Sequence, residues 1–455
     1  MQTDRKNRPA SSGEINFILP TVQTYQLSNG LKIYFSEKND LPLIRINFLI
    51  NSGSKNDPEN NKGLNNLLAM CIDEGAGKYD ALQLADEFEM LGSQFSVSCD
   101  SDMSVISLQV LHENFIPALK LLASVISKPH LTENDFNREK RKVLARFEQV
   151  KAEPDYIADS SFEYFLFGKD SAYAFPVMGI ENTVQNIQIE SIRDLYQKKF
   201  SPLNSSVVVV GNIDWNSLHA ELNEVFGSWD KNLDIEESIP LPNTTRRKNF
   251  LIRKPDAVQT EIRTGHISPK RSQKDFFQKQ IINLALGGQF SSRLNLNLRE
   301  KNGYTYGVHS MFNYLKDAGY FAVSTSVDVE NTTNALREIY SEINKIKEGI
   351  TEEELAFAKS SLTKRFPANF ETYRQIAGNI SSKIIHNLPE DYFETYIEKV
   401  NSVELEDVNK ITANSIHPAE LITVLVGDSN KILGQINGDE FGETVILNFE
   451  DVFKK

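Results

Sequence analysis

The stretch Val207-Val-Val-Val-Gly211-Asn-Ile-Asp returns 216 positions later as Thr423-Val-Leu-Val-Gly427-Asp-Ser-Asn, and this copy limits the possible folds more than any other feature. Val105-Ile-Ser-Leu-Gln-Val matches Phe321-Ala-Val-Ser-Thr-Ser at the same offset of 216, and Asn47-Phe-Leu-Ile-Asn-Ser-Gly sits against Ile262-Arg-Thr-Gly-His-Ile-Ser at 215. Three strand-like matches at nearly one spacing imply a duplicated domain. A solenoid would repeat every 20–50 residues or so.

Each copy alternates short apolar runs with helical periodicity. Leu27 to Phe35 is a strand approached through the Asn29-Gly30 turn, and Ile44 to Ile50 is a second strand. Leu64, Leu67, Leu68, Cys71 and Ile72 recur at helical spacing and predict an amphipathic helix. Further helices are expected over 80–91, 114–127, 133–150, 156–167, 189–200 and 215–226, with strands around 95–98, 104–110 and 205–210. Between the copies, Asp234, Glu236, Glu237, Pro240, Pro242 and Arg246-Arg247-Lys248 break every apolar period. The expected organisation is a flexible lead-in over 1–20, a first domain over 21–230, a linker over 231–250 and a second domain over 251–455. The fold class is α+β, two similar domains, each a mainly antiparallel sheet covered by helices.

Composition narrows the function classes. The 455 residues are 40% hydrophobic and 24% charged, ordinary for a globular chain, and the net charge of −13 argues against a nucleic-acid surface. No apolar run approaches the roughly 20 residues of a membrane span. Two cysteines, Cys71 and Cys99, make no disulfide framework, and Cys71 falls on the apolar helix face as a buried thiol. Residues Met1 to Gly13 are polar and lack the apolar centre of a signal peptide. The chain is then either cytosolic or a mature form whose leader has been removed.

The segment from Leu286 to Gly307 carries the densest local information. Gly287-Gly288 ends the apolar helix 276–286, and Ser291 or Ser292 caps a new helix on which Leu294 and Leu298 share a face. Asn302-Gly303 closes it, and Tyr304 to Val308 alternates as a strand. Arg299 then stands on the last helical turn and Tyr306 on the strand beyond, with Tyr304 on the same strand face. A cation and a phenol so placed suit a polarised carbonyl or a carboxylate. The same spacing also suits an arginine paired with a carboxylate and a tyrosine half-buried in a sheet.

Other chemistry is sparse. None of the histidines at 112, 130, 219, 266, 309, 386 and 417 has another at i+3 or i+4, and neither a G-x-S-x-G elbow nor a G-x-x-x-x-G-K-[ST] loop occurs. His266 and His309 remain as isolated candidates. Asp73-Glu74 ends a helix and reads as a solvated pair.

With Arg299-Glu300-Lys301 and Gly303 to Tyr306, the Gly-Gly-x-x-Ser-Ser-Arg-Leu run resembles the second-half signature of the insulinase-like (pitrilysin, M16) metallopeptidases, in particular bacterial two-domain subunits. The resemblance extends over nearly the whole chain. Active members of that family carry His-x-x-Glu-His on a first-domain helix, with a distant glutamate as third ligand; the motif glutamate is the general base on the zinc-bound water. In this chain Asn66 stands for the first histidine, Ala69 for the base and Met70 for the second histidine. The distant glutamate falls at or near Arg146, with Glu139 and Glu148 close enough to take that place if the register shifts by about a turn. An amide, a methyl and a thioether do not make a zinc site.

The resemblance implies that Arg299 and Tyr306 match the arginine and tyrosine the second half contributes to a zinc centre across an interface, the family spacing preferring Tyr306 over Tyr304. Tyr304, Gly287 and Gly288 fall in the same substrate-facing segment. The implied protein is a subunit that binds no cofactor itself, partners a homologous subunit carrying His-x-x-Glu-His and its zinc, and acts on peptides. Neither a nucleic acid nor a membrane is implied as a partner. The polar Asp-Arg-x-x-Arg-Pro lead-in resembles the mature start of exported members and points to the periplasm. The rival reading is a catalytically inert assembly or peptide-binding scaffold of the same fold.

Overall fold

The computed structural model describes residues 17–230, 247–271, 274–435 and 441–454. The first sheet contains β1 (Gln23–Gln26), β2 (Lys32–Glu37), β3 (Leu43–Ile50), β4 (Gln94–Cys99), β5 (Ser104–Leu111) and β6 (Ser205–Gly211), in the order β1-β2-β6-β3-β5-β4. The second contains β7 (Lys248–Arg253), β8 (Gln259–Ser268), β9 (Val308–Tyr314), β10 (Gly319–Asp328), β11 (Ile422–Gly427) and β12 (Thr444–Leu447), in the order β12-β7-β11-β8-β10-β9. The β2/β6 pair and its counterpart β7/β11 are parallel, whereas β3/β6, β3/β5 and β4/β5 and their counterparts are antiparallel. The duplication is therefore complete over five strands. The sixth differs: β1 pairs antiparallel with β2, whereas the C-terminal β12 pairs parallel with β7.

The four-valine run of β6 is explained by what covers it. Val207 and Val209 face the core of the first half, while Val208 and Val210 belong to a cluster built mainly from the second half. A strand covered on both faces reads as a continuous apolar run. Its far cover is the helix Tyr373–Ile385, started by a capping box between Thr372 and Gln375 and burying Tyr373, Ile376, Ala377 and Ile380. Reciprocally, the helix Pro154–Phe167, with proline at its start, packs against the second sheet. There Phe165 stacks on Phe250 at 3.6 Å between centroids, and Phe162 meets Tyr320 edge-on at 6.0 Å. The two helices occupy equivalent places in the repeat, so the halves exchange one helix each.

Three sequence expectations need correction here. Residues 1–16 and 231–246 lie outside the described residues, but Phe17 packs on Phe366 at 5.7 Å and Phe370 at 6.2 Å, so the lead-in is tied down before residue 20. The linker ends earlier than 250, because Lys248 to Asn249 already pair with Ile422 and Thr423 of β11. A division at 230 also fails to contain either half's core: the 154–167 helix belongs with the second sheet and the 373–385 helix with the first.

Candidate functional site

The helix Leu64–Cys71 begins at Gly63, whose φ of 99° lies in the left-handed region; a Cβ there would also lie 2.6 Å from the Met178 carbonyl oxygen. Buried Asp57 anchors the start of this helix. Its carboxylate accepts from Gly63 N at 2.7 Å and from Asn65 N and Nδ2 at 2.9 and 2.7 Å. Burial pushes Asp57 up to about 6, against the pull of those bonds and of the Lys62 charge.

Of the four positions where the resemblance places metal chemistry, two meet each other: Asn66 Nδ2 donates to Met70 Sδ at 3.8 Å. Ala69 is buried with no donor atom to offer. Arg146 turns to solvent and grips Glu153 with two bonds, Nη1 to Oε1 at 2.8 Å and Nη2 to Oε2 at 2.9 Å. Glu139 is buried and bound by Arg138 Nε at 3.1 Å and Lys142 Nζ at 2.7 Å. Beside it the Glu74 carboxyl is pushed up to about 7, by burial first and then by Glu139. Glu74 thus belongs to a charged cluster with Arg138 and is not a simply solvated residue. The donor set at 66, 69, 70 and 146 does not fit Zn²⁺, and among the described residues no group of three His, Cys, Asp or Glu is spaced for a metal. Cys71 is buried and its thiol pushed up to about 12, chiefly by burial. His266 is fully buried, with Nδ1 beside the Ile267 carbonyl at 2.8 Å and Nε2 accepting from His417 N at 3.2 Å; both ring nitrogens have structural partners.

In the second half, Leu294 and Leu298 share a buried face as expected, but the turn around them differs. Asn295–Lys301 is a π-helix, its wide turn continued by Asn302 N donating to Asn297 O at 3.1 Å. The Ser292 carbonyl accepts from Leu296 N at 2.9 Å, while its hydroxyl lies 3.2 Å from Asn295 Nδ2 and, among the described residues, caps no backbone N–H. Tyr304 and Tyr306 are not strand residues, since β9 begins at Val308. Side-chain bonds hold the preceding loop instead: Thr305 Oγ1 donates to Ser326 O at 2.8 Å, and Thr325 Oγ1 donates to Gly307 O at 2.9 Å. Consequently Tyr304 is half-buried against the core, whereas Tyr306 is 95% exposed.

Gly287 and Gly288 permit close approach. A Cβ at 287 would lie 2.7 Å from Ser310 N, and one at 288 would lie 2.6 Å from Asn283 Nδ2. Arg299 stacks on Phe290, its Cζ 3.8 Å from the ring centroid. Its Nη1 is buried and makes no hydrogen bond among the described residues, its ion pair with exposed Glu300 spanning 3.5 Å. No hydrogen bond or ion pair among the described residues joins Arg299 to Tyr306. The sequence reading overlooked Phe290, which is 67% exposed; the signal was an aromatic residue in a Gly/Ser/Gln turn.

Among the described residues, no helix is long and apolar enough to cross a membrane. The model for the insulinase (peptidase family M16) domain matches residues 35–165, and that for the peptidase M16 inactive domain matches 186–362. A Rickettsia felis protein described as an uncharacterized zinc protease is 25% identical over 89% of this chain and 97% of its own length. A Helicobacter pylori protein described as the non-peptidase homolog YmxG is 24% identical over 90% of this chain and 95% of its own. The crystal structure of a peptidase M16 inactive domain from Pseudomonas fluorescens superposes with a TM-score of 0.83 at 26% identity, covering 90% of this chain and 98% of that one. With the two exchanged-helix halves and the Asn66, Ala69, Met70 helix, these likenesses make the chain a member of the M16 peptidase family that lacks the family's zinc motif.

Proposed function

We propose that this chain is the zinc-less subunit of a heterodimeric M16-type metallopeptidase and supplies Arg299 and Tyr306 in trans to a partner bearing His-x-x-Glu-His. The observation that carries the reading is a chain whose metal helix is dismantled but which keeps Tyr306 in solvent and, among the described residues, leaves the buried Nη1 of the partly exposed Arg299 without a hydrogen bond. The partner's zinc supplies the hydrolytic chemistry. Arg299 then binds the substrate carbonyl, and the Tyr306 hydroxyl donates to the oxyanion that forms as water attacks. Gly287, Gly288 and Tyr304 form the wall along which the peptide lies. The proposed setting of the pair is the periplasm.

The rival is an inert scaffold of the same fold, supported by the description of the Helicobacter pylori relative as a non-peptidase homolog. Coexpression with a zinc-motif homologue from the same genome separates the two. The proposed role predicts a stable complex that cleaves a quenched peptide far faster than the zinc-bearing chain alone. A stable complex with no gain in cleavage supports the scaffold.

A further inference from the structure

The segment 290–301 holds two arginines in opposite ways. Arg293 is tied by a carboxylate: Nε and Nη2 reach Glu354 at 2.6 and 2.7 Å, and Nη2 also donates to Gly349 O at 3.0 Å, so its donors serve the fold. Arg299, six residues on, lies over the Phe290 ring, with Cζ 3.8 Å from the centroid. An aromatic face fixes a guanidinium plane without taking up its N–H donors, which a carboxylate would occupy. Phe290 is 67% exposed, so its ring adds little to the core. The turn that carries it is nonetheless fixed, since Gly287 and Gly288 press against Ser310 and Asn283 and the π-turn 295–301 follows directly.

We infer that Phe290 is a positioning residue for Arg299: its ring supports the guanidinium from one face without taking up a donor, so that the N–H groups other than the buried Nη1 stay available to the substrate carbonyl. The inference rests on the role proposed above for Arg299. It assigns to Phe290 a requirement for aromaticity that bulk alone does not meet.

The test compares F290L, F290W and R299A in the complex with the zinc-bearing subunit. Each is assayed for kcat and KM on one quenched peptide and for affinity of the two subunits. The Arg299 Nε–Hε resonance is recorded alongside. The expected pattern is a fall of about tenfold in kcat for F290L, with KM and subunit affinity unchanged, and near wild-type turnover for F290W. The Nε–Hε resonance of the wild type carries an aromatic ring-current shift, which F290L abolishes and F290W keeps. Wild-type turnover by F290L, while R299A is impaired, overturns the positioning role and leaves Arg299's own role standing. Equal losses in F290L and F290W, or a loss in F290L that follows weakened subunit affinity, also overturn it. Wild-type turnover by R299A overturns the catalytic reading on which the inference rests, and the two failures are thereby distinguished.

Discussion

Lys55 Nζ lies 2.7 Å from Asp317 Oδ2, joining the first half of the chain to the second through a side chain with no solvent exposure. Asp102 Oδ1 is 3.0 Å from the same nitrogen and accepts from the Tyr173 hydroxyl at 2.6 Å, while Asp102 Oδ2 accepts from Lys316 N at 2.8 Å. One ammonium thus sits between two carboxylates from the two halves, close to where the helices are exchanged. Burial alone would lower the Lys55 pKa, but Asp317 and Asp102 outweigh it and hold the group above its ordinary value.

Replacing this cation leaves the buried Asp102 carboxylate, and the partly exposed Asp317, without their shared partner. Lys55→Met is expected to lower the unfolding free energy by about 3–5 kcal/mol, read as a shift of the urea midpoint. The wild-type contribution is complete below the unfolded lysine value near 10.4 and is lost as pH rises through the higher folded value. Lys55→Met is therefore expected to lose stability less steeply than the wild type in that alkaline range.

Glu163, on the exchanged helix 154–167, also holds its proton more tightly in the folded state, but here burial is the cause and no charge partner is needed. Burial pushes its carboxyl from 4.5 up to about 7, although the hydroxyl of Tyr320, at 3.2 Å, pulls it down. The folded protein binds this proton more tightly than the unfolded chain, so stability falls as pH rises from about 4.5 to 7. Glu163→Gln keeps an acceptor for Tyr320 and removes the ionisation. It is expected to be more stable than the wild type at pH 8, by on the order of 1–3 kcal/mol, and to match it more closely at pH 4.5. Thermal melts across that range measure the difference.

The metal helix gives a third expectation. The purified chain, equilibrated with zinc and then dialysed, is expected to retain far less than one ion per chain by elemental analysis, because Asn66, Ala69 and Met70 supply no ligand set and Arg146 is held by Glu153. The N66H/A69E/M70H variant restores the motif alone; adding R146E is expected to tighten zinc binding further. Stoichiometric zinc in the wild type contradicts the loss of the site.

Much of this was legible before any coordinates. The return of Val-Val-Val-Val-Gly as Thr-Val-Leu-Val-Gly marked the duplication, because a central strand covered on both faces is nearly continuous in apolar residues, and β6 and β11 are such strands. The helix exchange was not legible, since the periodicity of 154–167 says that one face is buried but not against which sheet. The strand expected at 304–308 failed because Thr305 and Thr325 satisfy that backbone with side-chain oxygens, a local bond that alternation of residue type does not reveal. The π-turn likewise left Leu294 and Leu298 on one face while changing where Arg299 emerges.

The central claim is that Arg299 and Tyr306 act on substrate held at another chain's zinc. Its most direct measurement is peptide turnover by the assembled complex containing Arg299→Ala or Tyr306→Phe, with assembly verified for each. Turnover is predicted to fall on the order of 10²–10³-fold for either variant. Wild-type turnover by both fully assembled variants would contradict the account.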